Sequence, residues 1–170
     1  MAWGGPGGLQ VHHGGACRSA ELGFPGRRTR GATDRANQAL NYVYGVLYGE
    51  VWQAVVSYGL DPYFGVMHGS TQDNGSLVFD LVEELRAPFA DRTVAALVGR
   101  GFVPRTDRCG GLLGSTRRTL AAAFLRGFTR RRVRRGAQRE TGQAILRDQV
   151  RSIAALYRER GRYRGYRMQW

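Results

Sequence analysis

Between Asp34 and Gly59 the apolar residues Leu40, Val43, Leu47, Val51, Ala54 and Val55 recur at steps of three and four, which demands a long helix with one buried face. Thr33 or Asp34 is placed to cap that helix, and Gly59 to end it. The same period returns along the chain. Ser76 starts a second helix through Leu85, Pro88 bends or interrupts it, and Val94, Leu97 and Val98 carry a further segment to Gly99 or Gly101. Ser115 is read as the cap of a helix that turns Leu120, Ala123, Phe124 and Phe128 inward and carries arginines on its other faces as far as Arg135. Thr141 caps the last helix, striped by Ile145, Leu146, Val150, Ile153, Leu156 and Tyr157. Apart from a short extended piece around Phe102 and Val103, nothing alternates as a strand does, and the predicted architecture is all-α.

The second helix concentrates carboxylates. Asp80, Glu83 and Glu84 stand at i, i+3 and i+4 and so share one side. Opposite charges at those spacings would stabilise the helix by about 0.2–0.5 kcal/mol per pair, whereas three acids repel one another unless a cation is near. His68, in Gly65-Val66-Met67-His68, precedes this helix by the polar stretch Gly69 to Gly75. One imidazole and several carboxylates suit a divalent metal, although a histidine taken alone is more often structural.

Charge narrows the partner. The chain has 26 basic residues, all arginine, against 13 acidic ones, a net charge of +13. Residues 34 to 99 hold 3 arginines and 8 acids, residues 100 to 170 hold 19 arginines and 4 acids. A basic domain of this kind carries the electrostatic footprint of a nucleic-acid binder, and guanidinium forks match phosphate oxygens. The run Arg130, Arg131, Arg132, Arg134 and Arg135 is the densest candidate surface for DNA. A solvated helix face with no partner is the plain alternative.

The length of 170 residues suits one core. Residues 1 to 32, rich in glycine and without hydrophobic period, are expected to be a poorly ordered start, and residues 33 to 170 the helical domain with its basic carboxy-terminal third. No apolar run approaches a membrane span or the core of a signal peptide, so a soluble, cytoplasmic protein without a membrane partner is expected. Cys17 and Cys109 make no framework, and reduced thiols are expected. His12, His13 and Cys17 match no strong zinc spacing.

Several motifs then follow one another in a recognisable order: Asn37-Gln-Ala-Leu-Asn41-Tyr42, Leu47-Tyr48-Gly-Glu50-Val51, Gly59-Leu-Asp-Pro-Tyr63, Gly65-Val-Met-His68, Ser76-Leu-Val-Phe-Asp80-Leu-Val-Glu83-Glu84-Leu-Arg86 and Asp91-Arg92. With the ending Tyr163-Arg164-Gly-Tyr166-Arg167-Met-Gln-Trp170, they resemble the carboxy-terminal catalytic domain of the CRISPR-associated endonuclease and integrase that inserts new spacers into CRISPR arrays. The resemblance runs from about Glu21 to Trp170. It implies a helical domain that performs metal-dependent phosphoryl transfer on DNA in antiviral defence, with the prespacer and the CRISPR repeat as substrates and a small partner protein in the adaptation complex. It places His68 and Glu83 as ligands of Mg2+ or Mn2+, Asp80 as a further acid beside the site, and Arg86 at a cationic position within reach of the scissile phosphate.

The resemblance also marks departures. The family's first metal-binding glutamate, in a Glu-Gly motif on a helix before the Asn37 helix, has no counterpart here, and the amino-terminal β-rich domain associated with dimerisation is absent from this sequence. The expectation is therefore a frameshifted or interrupted gene product, weakly active or inactive alone. The alternative is a non-catalytic DNA-binding helical remnant, or a subunit that needs a separate amino-terminal half. Asn37 and Asn41 share a helix face and either hydrogen-bond near the site or satisfy backbone groups; Tyr42, Tyr44, Tyr48 and Trp52 read as core rather than as base-stacking platforms.

Overall fold

A computed structural model describes residues 26–28, 31–63, 75–159 and 165–166 of the chain. Helix α1 spans Arg35–Ser57, and Asp34 caps it, its carboxylate accepting the Asn37 N–H at 2.8 Å. Ala39, Leu40, Val43, Leu47, Val51 and Val55 are its buried stripe, as the period requires. The helix closes through a Schellman arrangement: Gly59 N–H donates to Val56 at 2.9 Å and Leu60 N–H to Val55 at 3.2 Å, with Gly59 at φ 71°.

Helix α2, Ser76–Leu85, buries Leu77, Val78, Leu81, Val82 and Leu85 against α1. It runs into a π-helical turn, Arg86–Asp91, and then into α3, Arg92–Gly99. Pro88 sits inside that turn and has no N–H to donate, so the wider turn accommodates the interruption that a proline was expected to cause. Phe89, in the same turn, meets Phe128 edge-on at 5.3 Å between ring centroids, and Phe124 stacks on Phe128 at 5.4 Å.

Helix α4, Gly114–Arg130, supplies Leu120, Phe124 and Phe128 to the core, and α5, Gly142–Glu159, supplies Ile145, Leu146, Val150 and Ile153. The five α-helices among the described residues share one hydrophobic cluster, with α1 contacting each of the others. Thr141 caps α5 as expected, its hydroxyl accepting the Ala144 N–H at 3.3 Å. Gly142 opens that helix where there is no room for more: a Cβ there would overlap the Phe128 ring and lie 2.9 Å from Phe89 Cε1.

Three expectations are corrected. The arginine helix does not continue to Arg135: α4 stops at Arg130, and a hairpin of β1, Arg132–Arg135, and β2, Gln138–Thr141, follows, with Arg132 opposite Thr141 and Arg135 opposite Gln138. Val133 is buried while Arg132 and Arg134 are exposed, a period of two that seats one apolar side chain and spares the repulsion of consecutive arginines along one helix. Ser115 is not the cap of α4 either: Leu113 holds that position without a side-chain hydrogen bond, and Ser115 lies within the first turn. Phe102 and Val103 belong to no strand; the extended pairing nearby is an isolated bridge between Thr106 and Leu112. The domain remains all-α in class, since the hairpin is its one sheet among the described residues.

Candidate active site

The acids of α2 part company in three dimensions. Glu83 points outward, its side chain 56% exposed, and pairs with Arg86 one turn on. Glu84 turns the other way: its carboxylate accepts the Gln149 amide from α5 and the Tyr166 N–H at 2.5 Å. A Cβ on Gly165 would lie 2.6 Å from the Glu84 carboxylate, so the backbone at Gly165 packs tightly onto it. Asp80 is only 4% exposed and faces the neighbourhood of Tyr157 on α5, whose phenol it helps push up in pKa after burial and Asp61. A shared helix side thus becomes three separate environments.

Around Glu83 the structure builds a polar cluster on α1. The Arg86 guanidinium lies over the Tyr44 ring with its carbon 4.4 Å from the centroid, and Arg27 lies over the same ring at 4.8 Å. The Tyr44 hydroxyl donates to Asp91 at the end of the π-helical turn. Burial pulls the Arg86 pKa down, but Tyr44 and Glu83 outweigh it and leave it raised. Asp91 is raised by burial, against the opposing pull of Tyr44, Arg86 and Arg27. Tyr44 is likewise raised, first by burial and then by its bond to Asp91.

Arg27 ties this cluster to the segment before α1. It donates to Asn37 at 3.0 Å and to Asn41 at 2.6 Å, while the Asn37 amide also donates to Gly26 at 2.7 Å and Asp34 at 2.9 Å and accepts the Arg28 N–H at 2.8 Å. Asn37, fully buried, therefore satisfies backbone groups, the structural half of its two sequence readings. Tyr44 and Arg27 were not singled out from sequence as site residues. The signal was present in Asn37, Asn41 and Tyr44 at i, i+4 and i+7, a polar stripe beside the apolar one.

His68, with its loop, lies outside the described residues, as do His12, His13 and Cys17. Among the described residues no three His, Cys, Asp or Glu side chains converge on a common point. Glu83 and Asp80, one turn apart on α2, carry carboxylate oxygens, the donor type that a hard divalent cation takes, but they face different surroundings.

The arginine run divides into parts with different roles. Arg130 and Arg131 end α4 and face a cleft against α3. Arg132 and Arg134 stand on the exposed side of β1, with Arg134 Nε donating to Gly136 at 3.2 Å. Arg135 turns inward and bridges Glu140 at 3.2 Å and Asp148 at 3.0 Å, joining the hairpin to α5. It is a structural link here. Cys109 is a free, exposed thiol in the loop before α4. No helix among the described residues is long and apolar enough to cross a membrane.

Comparison with known proteins agrees with the helical topology. The family described as "CRISPR associated protein Cas1" matches residues 14–126. The CRISPR-associated endonuclease Cas1 1 of Methanospirillum hungatei is 35% identical over 153 residues, covering 86% of this chain and 45% of that protein. A solved casposase bound to integration product is similar with a TM-score of 0.65 at 26% identity, over 76% of this chain and 39% of that one. A CAS1 protein from Thermotoga maritima shares the fold with a TM-score of 0.70 at 17% identity, over 78% of this chain and 43% of that one. The chain spans about half the length or less of the relatives it matches.

Proposed function

The chain belongs to the CRISPR-associated Cas1 family, and we propose that it acts on DNA as a divalent-metal-dependent endonuclease and integrase of spacer acquisition, with weak activity on its own. The observation that carries this reading is the exposed Glu83 carboxylate beside an Arg86 fixed over Tyr44, in a chain that matches the family over most of its length.

His68 and Glu83 are the residues that would hold the metal, with Asp80 in support. Mg2+ or Mn2+ bound there supplies electrophilic assistance at a phosphoryl oxygen and lowers the pKa of an attacking hydroxyl or water. The chain's own part is positioning. Stacking on Tyr44 and pairing with Glu83 restrict Arg86 to one orientation, from which its fork can hold a non-bridging phosphate oxygen. Arg130, Arg131, Arg132 and Arg134 supply the sequence-independent attraction for the DNA backbone, so affinity falls with salt. The activity is expected to be weak because His68 and Glu83, with Asp80 in support, fix only part of an octahedral shell and water fills the rest. The prespacer, the CRISPR repeat and a small partner protein of the adaptation complex are its proposed partners.

Manganese-dependent cleavage and strand transfer on branched DNA test this. Wild-type chain is expected to give slow, chelator-sensitive product that disappears in His68→Ala and in Glu83→Gln. Product unaffected by both substitutions would remove these residues from the site, and DNA binding without any metal-dependent product would leave a DNA-binding subunit as the function.

A further inference from the structure

We infer that the cleft between α3 and α4 is a binding site for a phosphate group, held by the guanidiniums of Arg100, Arg126, Arg130 and Arg131. The cleft has a volume of about 370 Å3, is also lined by Ala123 and Gly127, and among the described residues has no carboxylate in its lining. Arg100 follows the last residue of α3, while Arg130 and Arg131 end α4, so two helix ends deliver cations to one opening. Among the described residues none of these four arginines pairs with an acid. The Nη1 of Arg131 is buried and has no hydrogen-bond partner among the described residues.

Local helix electrostatics accounts for only part of this. A cation at a helix C-terminus gains about 0.3–1 kcal/mol, which rationalises one arginine at each end. It does not rationalise four that repel one another across a cleft. Burial, followed by the charges of Arg92 and Arg100, pushes the Arg131 pKa down, as an uncompensated cluster does, yet a guanidinium stays charged at neutral pH. A buried donor left unpaired costs about 1–3 kcal/mol. An anion with several acceptor oxygens removes both penalties at once, and a phosphate matches the planar forks. The cleft is roomier than one phosphate requires, so a phosphodiester with its flanking sugars fits as well as a free phosphate ion.

The nucleic-acid backbone is the source we assign, a step that rests on the DNA-binding reading above. The site shares no residue with the Glu83, Arg86 and Tyr44 cluster, so it would anchor the duplex away from the reacting bond.

Inorganic pyrophosphate and a labelled DNA duplex test the two levels separately on the full chain. Pyrophosphate is expected to raise the melting temperature of the wild type and to have no effect on the Arg100→Gln/Arg131→Gln pair. The same pair is expected to bind DNA about tenfold more weakly, with the slope of log affinity against log salt reduced by about one to two. Arg131→Lys, which keeps the charge and loses the fork, should fall between. Arg117→Gln/Arg118→Gln, on the exposed first turns of α4, is the control for loss of charge alone. A wild type indifferent to pyrophosphate, or a control that loses as much DNA affinity as the cleft pair, overturns the site. Pyrophosphate binding lost in the pair with DNA affinity unchanged overturns the backbone as its source and assigns a free phosphate ligand. Pyrophosphate binding in a chain that binds no DNA supports the phosphate site and rejects the DNA-binding reading instead.

Discussion

The Arg86 guanidinium lies 4.4 Å from the centroid of the Tyr44 ring, and the Tyr44 hydroxyl is bonded in turn to Asp91. One aromatic side chain on α1 therefore orients a cation at the start of the π-helical turn and a carboxylate at its end. Tyr44→Phe keeps the ring and removes the donor. It is expected to cost about 1–3 kcal/mol in urea unfolding, the penalty of leaving Asp91 without that partner. Tyr44→Leu, which removes the ring too, should lose a further 0.5–1 kcal/mol or about that, and should lower strand-transfer rate more than DNA affinity because Arg86 loses its fixed orientation.

The same cluster gives a pH dependence. The Asp91 carboxyl is raised above its ordinary value of 3.8, chiefly by burial. A raised carboxyl binds its proton more tightly in the folded state, so its contribution is fully present below the unfolded value and is lost as pH rises through the native one. Wild-type stability is therefore expected to fall relative to Asp91→Asn as pH increases from 3.8 through the raised native pKa. Urea unfolding of both proteins across a pH series checks this; a constant difference would show that Asp91 does not titrate in this manner.

Glu83 and Glu84 are adjacent in sequence and are expected to behave oppositely. Glu84 accepts hydrogen bonds from Gln149 and from the Tyr166 backbone, so Glu84→Ala should cost about 1.5–3 kcal/mol, a charged acceptor's share, and release the segment around Tyr166 to amide exchange. Glu83→Gln, at an exposed position, should change stability by less than about 0.5 kcal/mol while abolishing metal-dependent product. A reversed pattern, with Glu83 stabilising and Glu84 catalytic, would invalidate the assignment.

Arg134 and Arg135 make a second such contrast. Arg135 bridges Glu140 and Asp148 at a partly exposed site, so Arg135→Ala should cost about 0.5–1 kcal/mol after allowance for solvent screening. Arg134→Ala should leave the melting curve unchanged and reduce the salt slope of DNA binding by about one. Melting curves and fluorescence anisotropy at several salt concentrations separate the two.

Gly142 is the position where one added methyl should do most harm. Its Cβ would overlap Phe128 and crowd Phe89, so Gly142→Ala is expected to destabilise by about 1–3 kcal/mol although alanine is the better helix former. An unchanged or raised unfolding midpoint would mean that the two phenylalanines shift without cost.

What the sequence by itself determined is the set of helices. Leu40 to Val55 at three- and four-residue steps, Asp34 and Thr141 as caps, Gly59 as a stop and Pro88 as an interruption are local signals, and each acts through contacts within a few residues. The hairpin was not legible, because Arg132 to Thr141 offers one apolar residue for burial, Val133, and a single apolar position among arginines does not reveal a strand's alternation in the sequence. The fates of Asp80, Glu83 and Glu84 were not legible either. Spacing places them on one side of α2, but α5 and Tyr166 lie against part of that side and Tyr44 stands by another. Likewise Arg131 and Arg100 are 31 positions apart and meet only because α3 and α4 end together. Periodicity is a property of the local chain, whereas the partner of a charged side chain is set by whichever distant element packs beside it, and that only the tertiary structure decided.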